Sequence, residues 1–384
     1  MKAIVIGAGI GGLTAALALR KAGIEIEIYE RVGELRAVGA GISLWANAIR
    51  ALAALGLGDP LRARSVEYVR TAILRADGAA IAETSLEELV EHTVGGEAIP
   101  AAVMVHRADL SNILAGPVCD AIRLGRECTG FEIRGERVAA RFHDGSEAVA
   151  DLLVAADGIH SAIRAQLHPN EPLRYSGYTA WRSVVKFDTT GLGITETWGF
   201  GRRFGIVPMS GGLVYWFATR NAPEGQSDPA SEIKHNLLDL FQGWHAPIRM
   251  LIEASDDQAI LRNDIVDRAP LRAWGTGPVT LLGDAAHPMT PNLGQGGCQA
   301  IEDGLVLARA LAKRSDVPAA LRSYESERIA RTSPIVSRSR EAGVVAQFEN
   351  PLACRVRDFL FAKIPRSVLF RQLAATAGYR GHLG

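Results

Sequence analysis

The stretch Met1–Arg31 constrains this chain more than any other. Lys2-Ala3-Ile4-Val5-Ile6 is a short apolar run rich in β-branched residues, and Gly7-Ala8-Gly9-Ile10-Gly11-Gly12 follows at once. Leu13 to Lys21 reads as a helix, and Glu25-Ile26-Glu27-Ile28-Tyr29-Glu30 alternates as a strand that ends on an acid. Strand, GxGxxG, helix, strand and terminal acid in this register form the dinucleotide fingerprint. Gly7 permits the tight turn, Gly9 lets backbone approach a pyrophosphate, and Gly12 lets helix pack on strand. The phosphates belong at the helix N-terminus, where free N–H groups and the dipole favour an anion. Glu30 is placed to hold both ribose hydroxyls, which disfavours a 2′-phosphate. The uncharged run from Ala3 to Leu19 could instead suggest a signal peptide. Its crowded glycines, the missing small-residue cleavage site and the strand that follows exclude that reading.

Composition narrows the partners. Lys plus Arg (42) equals Asp plus Glu (42), so no basic field to attract nucleic acid or anionic lipid is expected. No other apolar stretch reaches the length of a membrane span. Cys119, Cys128, Cys298 and Cys354 are scattered, without CxxC or metal-ligand spacing. That pattern suits a reducing cytoplasm and predicts neither a metal site nor a disulfide-reductase mechanism.

Further along, Val38-Gly39-Ala40-Gly41-Ile42-Ser43-Leu44 is a glycine-punctuated apolar segment, and Gly41 and Ser43 suit a loop lying against a flat cofactor or simple turn geometry. Asn47 to Leu52 reads as a helix. From Val66 to Ala82 the pattern alternates around Asp77-Gly78, a hairpin signal and the first excursion into another domain. Arg107, at a helix start, could reach the cofactor or be a solvated charge. The apolar run Asp151 to Ala156 predicts a strand buried on both faces, ending in Asp157-Gly158, where ligands of open α/β sheets bind. Asp157 could equally cap a turn. Tyr175 to Asp267 is strand-rich and carries four of the six Trp. These aromatics either wall a pocket or fill the sheet's own core. Arg202-Arg203 reads as a turn between strands. Gly277 to Leu282 is another buried strand, leading into Gly283-Asp284-Ala285-Ala286-His287 and then Pro291-Asn292-Leu293-Gly294-Gln295-Gly296-Gly297-Cys298. The charged run Leu321 to Arg328 reads as a helix with a solvated face, and Tyr379 to Gly384 as a frayed tail.

Taken together, GxGxxG with Glu30-Arg31, the Asp157-Gly158 pair, GDAAH at Gly283 to His287 and the PxxGQG stretch from Pro291 to Gly296 resemble the single-component FAD-dependent aromatic monooxygenases. Within them the chain looks most similar to urate, quinolone and salicylate hydroxylases. The resemblance implies an α/β fold: a doubly wound FAD-binding (Rossmann-like) domain built from separate segments, 1–70, 101–172 and 271–340. A mostly antiparallel β-sheet substrate domain, 71–100 and 173–270, is inserted, and C-terminal helices cover 341–384. It implies FAD contacts at Gly7, Gly9, Gly11, Gly12, Glu30, Arg31, Gly41, Ser43, Arg107, Cys128, Asp157, Asp284, Gly294, Gln295, Gly296, Gly297 and Cys298.

Asp284 is expected on the ribityl chain, while His287 belongs to a packing motif. NADH or NADPH would reduce the flavin. No second GxGxxG is present, which fits a transient nicotinamide site. Reaction with O₂ would give a C4a-hydroperoxide that hydroxylates a small aromatic or heteroaromatic ring. Arg203 and Tyr215 match the substrate-activating Arg and Tyr of the urate-hydroxylating branch. Ala180 stands where that branch has Asn, and Asn292 where it has Asp. The alternatives are other chemistry on the same fold (epoxidase, halogenase or reductase) and a non-catalytic flavin sensor. The halogenase WxWxIP and prenyl-reductase YxWxFP motifs are absent. The oligomeric state is left open.

Overall fold

In the computed structural model, residues 1–35, 40–68, 70–85, 99–229, 231–314 and 316–380 are described. Val38 and Gly39 of the glycine-punctuated segment lie outside them, as do residues 381–384. The apolar runs form a five-stranded parallel sheet in the order Val279–Leu281, Leu152–Ala155, Lys2–Ile6, Glu25–Tyr29, Ile122–Arg123. Val5 pairs with Val154 on one side and with Ile28 on the other. The strand Leu152–Ala155 is buried at every position. One face of the sheet packs against helices Ile10–Lys21 and Gly296–Ala312. The other is covered by a three-stranded antiparallel sheet, Cys128–Arg134, Arg137–Phe142 and Glu147–Ala150, with the Phe142 ring 4.5 Å from that of Tyr29. The strand order reverses at Lys2–Ile6, which has Glu25–Tyr29 on one side and the much later Leu152–Ala155 on the other, so the crevice for a ligand opens beyond its carboxyl end.

A seven-stranded sheet forms the second layer system, in the order Leu261–Asp267, Arg174–Lys186, Leu213–Asn221, Arg202–Met209, Ile194–Trp198, Arg70–Arg75, Ala80–Ser85. All its pairs are antiparallel except Ile194–Trp198 with Arg70–Arg75. The Asp77-Gly78 hairpin is present, with Gly78 at φ +87. Directly paired residues share a face. Trp181, Phe204, Trp216 and Ala218 bury one face against helices Ile233–Leu240 and Ile248–Ala254. Trp181, Phe204, Trp216 and Phe241 fill this core, with Phe204 and Trp216 stacked at 5.3 Å, whereas Trp198, Tyr178, Tyr215 and Phe217 lie outside it. The opposite face carries Ala180, Arg182, Arg203, Gly205, Tyr215 and Phe217, and it turns toward the small sheet Gly41–Trp45, Ala102–His106, Ser65–Glu67.

Three expectations are corrected. The run around Arg328 is not a solvated face. Helix Val317–Ala346 continues through Pro334 and buries Tyr324, Glu325 and Arg328 against the helix that follows GDAAH. The Arg328 guanidinium donates to Glu302 and Asp303, each at 2.6 Å, and none of the three is exposed. Second, Tyr379 is not frayed: its hydroxyl lies 2.7 Å from Glu327 and its ring under the Arg331 guanidinium. Third, Arg203 is not in a turn. It lies inside a strand and is 4% exposed.

The buried network gives a direct stability prediction. Arg328→Ala removes the cation shared by two buried carboxylates, leaving Glu302 with Arg331 alone and Asp303 with His287 alone, a loss of about 3 kcal/mol, readable by chemical denaturation. Burial alone would raise the Asp303 carboxyl, but the charges of His287 and Arg328 outweigh it and hold it at about 2, below its ordinary 3.8. The folded state thus resists protonating it. This contribution is complete above about pH 4 and is lost as pH falls toward 2. Asp303→Asn should flatten that acid limb of the stability curve.

Candidate active site

The carboxyl edge of the parallel sheet gathers the sequence motifs. Gly7 adopts φ +100, and a Cβ there would lie 2.4 Å from the Ala156 carbonyl oxygen. On Gly12 it would lie 2.0 Å from the Gly7 carbonyl oxygen, and on Gly11 2.8 Å from Leu282 Cδ2. These three glycines are close-packing positions. Gly9 differs: a Cβ built there meets nothing within 4 Å. Gly9 precedes helix Ile10–Lys21, whose N-terminus has no side-chain cap, so backbone N–H groups face open space. Glu30 accepts from the Ala8 N–H at 2.8 Å and the Val32 N–H at 3.2 Å, which fixes its carboxylate against the glycine turn. Arg31 is exposed beside it.

Asp157 uses one oxygen to accept from the Ala162 N–H at 3.0 Å, capping the next helix, while its buried Oδ1 has no protein partner. The capping reading of this residue is met by that bond, and Oδ1 is left over for a ligand. Burial raises its carboxyl above the ordinary range. Cys128 is buried nearby, its thiol pushed up to about 11 by burial. Asp284 opens onto the cleft yet is enclosed by protein on its other sides. Burial raises its carboxyl, offset in part by His287 and Arg107. Arg107 is exposed at the start of helix Arg107–Ala115, near enough to act on both Asp284 and Tyr215.

Past GDAAH, Gly294 takes a left-handed turn at φ +60, and helix Gly296–Ala312 starts without a side-chain cap. A Cβ on Gly296 would be 3.9 Å from the Asp284 carboxyl, so the uncapped, positive end of this helix faces that acid. Trp45 Nε1, beside Gly294, is buried and without a partner. Three of the sequence candidates, expected to turn backbone N–H groups toward the flavin, also make contacts behind this surface. Gln295 is buried and bonded to Asn47 and Gln299. The Cys298 thiol contacts the Trp45 N–H and the Ser43 carbonyl, and burial pushes it up to about 12. A Cβ on Gly297 would lie 2.8 Å from Ile42. These residues tie the loop to the strand Gly41–Trp45. His287 is equally internal, 3% exposed, with Nε2 donating to Asp303 at 2.7 Å. Among the described residues no cluster of His, Cys, Asp or Glu could hold a metal.

The facing wall comes from the seven-stranded sheet. Gly41 has no room for a side chain, because a Cβ would lie 3.0 Å from the Tyr215 ring. Gly205 is bare for the same reason: the Phe217 ring crosses it, and a Cβ would be 2.0 Å from that ring. Arg203 and Tyr215 flank Phe217 on this face, since Arg203 pairs with Thr219, Gly205 with Phe217 and Val207 with Tyr215. Burial raises the Tyr215 phenol, with Arg182 and Arg107 opposing. Arg203 is held from three sides. Nε donates to Gln347 at 2.7 Å, Nη1 to Glu196 at 2.8 Å and Nη2 to Asn292 at 3.0 Å. Its guanidinium also covers the Tyr178 ring at 5.4 Å. Asn292 donates in turn to Thr290 Oγ1 and the Ser339 carbonyl, each at 2.9 Å, which an aspartate could not do. Sequence reasoning did not single out Glu196, Gln347 and Tyr178, whose types carry no motif; Glu196 meets Arg203 from the neighbouring strand, while Gln347 reaches it from 144 positions away.

A cleft with uncapped helix ends, an open glycine and orphaned polar atoms on one wall, and an aromatic sheet on the other, fits a flavin dinucleotide and a flat ligand. The family model described as the FAD binding domain matches residues 1–339, and the chain belongs to that family. It is an FAD-dependent monooxygenase. Aurachin C monooxygenase/isomerase of Stigmatella aurantiaca is 44% identical over 364 residues, covering 93% of this chain and 92% of that protein. The FAD-dependent urate hydroxylase of Klebsiella pneumoniae is 39% identical over 354 residues, covering 89% of each. The crystal structure of Klebsiella pneumoniae HpxO complexed with FAD and uric acid matches with a TM-score of 0.92 at 34% identity, covering 98% of this chain and 96% of that one.

Proposed function

We propose that this protein hydroxylates a small, electron-rich heteroaromatic ring held between bound FAD and the Phe217 face of the seven-stranded sheet. The observation that carries this reading is the buried Arg203 guanidinium, fixed by three partners on the wall opposite the glycine turns. When bound and reduced by NADH or NADPH, FAD supplies the activation of O₂ and the transfer of one oxygen atom. The chain's residues do the rest. Ile10 and Gly296 head uncapped helices that receive, respectively, the pyrophosphate and the electron-rich pyrimidine edge of the flavin. Asp284 accepts from the ribityl hydroxyls and Glu30 from the ribose, and the Asp157 oxygen without a protein partner lies on the same edge.

Arg203 stabilises negative charge on the substrate ring, and Tyr215 holds a ring substituent by hydrogen bond. A donor already fixed by its neighbours needs no reorganisation when charge develops. Phe217 and the surrounding apolar wall keep water from the reacting centre. Uric acid is the ligand of a related structure. The neutral Ala180 and Asn292 here favour a ring with fewer polar edges. The three-segment cofactor domain and the inserted substrate domain follow the two walls of this cleft.

Two variants separate the roles on one motif. Asp284→Ala should weaken FAD by about 30–100-fold through loss of charge-assisted hydrogen bonds. His287→Ala should keep FAD and turnover while losing stability, because that side chain sits behind the cleft on Asp303. Flavin content per chain and product formation measure both. A histidine variant that is folded and FAD-loaded yet inactive would overturn the assignment. A screen of purines, quinolones and aromatic acids for stimulated NAD(P)H oxidation, scored by product mass, tests the substrate class. Oxidation indifferent to every aromatic would contradict it.

A further inference from the structure

We propose that helix Pro351–Lys363 docks this protein peripherally on an anionic lipid surface. The helix is held to the protein by one side only. Cys354 and Arg357 are buried beneath it, Phe361 meets Trp198 edge-on at 4.9 Å, and Arg357 lies over the same indole. A helix seated this way should present polar residues outward. Instead Leu352, Val356, Phe359 and Leu360, spaced i, i+4, i+7 and i+8, form one outward stripe, with Leu352 68% and Phe359 63% exposed. Ile364 extends it past the helix end, and Phe200 adds a further exposed ring beside Phe359 at the mouth of an adjoining cleft of about 590 Å³. A contiguous apolar strip on a soluble protein marks an interaction surface.

Charge identifies what the strip meets. Residues 351–384 carry Arg355, Arg357, Lys363, Arg366, Arg371 and Arg380 against the single acid Asp358. That is a local excess of five positive charges on a chain whose total is zero. Arg355 and Lys363 are exposed at the flanks of the stripe, and the Lys363 ammonium lies 6.0 Å from the Phe359 ring. Arg357 is buried beneath the helix and paired with Asp358, so the exposed cations beside the strip are Arg355 and Lys363. Apolar side chains flanked by cations are the signature of a helix that lies in the lipid headgroup region. The helix spans 13 residues, about 20 Å, and among the described residues none is long and apolar enough to cross a membrane. Four side chains on one such helix also fall well short of the about 800 Å² per partner that a stable protein interface buries. The inference is independent of the substrate proposed above. The adjoining cleft is lined in part by Trp198, whose indole donates to the same Glu196 oxygen as Arg203.

The test is flotation of the FAD-loaded protein with vesicles of pure phosphatidylcholine or of phosphatidylcholine mixed with phosphatidylglycerol, at about 20 mM and about 500 mM salt. At least tenfold more protein should float with the phosphatidylglycerol vesicles at low salt, and the excess should disappear at high salt. The double variant Phe359→Ser, Leu360→Ser should lose that binding at least tenfold while its flavin content and turnover in solution stay unchanged, because both side chains face outward. Lys363→Glu should reduce only the preference for the anionic vesicles. No flotation with phosphatidylglycerol vesicles, flotation unaffected by the double variant, or a dimer in light scattering that this variant dissolves would each overturn the proposal.

Discussion

Gly12→Ala is expected to yield a destabilised chain that does not retain FAD, whereas Gly9→Ala is expected to yield a well-folded one that binds it poorly. The two glycines belong to the same motif, but their surroundings differ. A Cβ on Gly12 would lie 2.0 Å from the Gly7 carbonyl oxygen and 3.3 Å from Ala156 Cβ. Relief requires the helix Ile10–Lys21 to move off the strand Lys2–Ile6, and overpacking of this kind costs about 1–3 kcal/mol or more. At Gly9 a Cβ meets nothing within 4 Å. The methyl group would be tolerated by the protein and would stand only where the pyrophosphate approaches. Thermal unfolding of the apo chains, read beside flavin content, separates the two effects. Equal stability loss in both variants would mean that Gly9 packs against protein, and full FAD retention by Gly9→Ala would remove the pyrophosphate from that turn.

Arg203→Gln is expected to keep FAD and its reduction by NAD(P)H but to lower product formation by about 10²-fold, equivalent to about 3 kcal/mol for one fixed donor. The remaining reducing equivalents should appear as H₂O₂. Tyr215→Phe should act in the same direction and more mildly, because it removes a hydrogen bond and no charge. Product per NAD(P)H consumed, with H₂O₂ measured in parallel, reads both variants. Unchanged coupling and rate in Arg203→Gln would take Arg203 off the catalytic list. The guanidinium also braces Glu196, Gln347 and Asn292, so the unfolding midpoint of the variant belongs beside its rate.

Much of the cofactor side was legible in the sequence because its residues act through local geometry. A glycine turn after a buried strand, an acid at the next strand end and the Asp-Gly pairs are all set by neighbours a few positions away. The strands of the substrate sheet were legible from their alternation, but the face on which Tyr215 lies was not. Arg203 was harder, because Arg202-Arg203 has the look of a solvated turn. Its burial depends on Gln347, 144 positions away, at the end of a helix that covers the strand. The ion cluster of Glu302, Asp303 and Arg328 failed for a similar reason. Charged residues at helical spacing suggest a wet face, and only the packing of two long helices shows that these point inward together. The motif places backbone N–H groups of Gln295 and Cys298 toward the cofactor, but it carries no sign that their side chains tie into the wall behind it. The C-terminal stripe escaped notice because its apolar residues are interleaved with Arg355, Arg357 and Lys363, and because a chain total of zero conceals a local excess.

The most direct test of the central claim is a turnover with ¹⁸O₂ in the presence of NAD(P)H and a stimulating heteroaromatic, with the product weighed by mass spectrometry. The account predicts a product carrying one ¹⁸O atom, formed in step with NAD(P)H oxidation. A product whose oxygen comes from water, or complete recovery of the label as H₂O₂ with the aromatic unchanged, would contradict it.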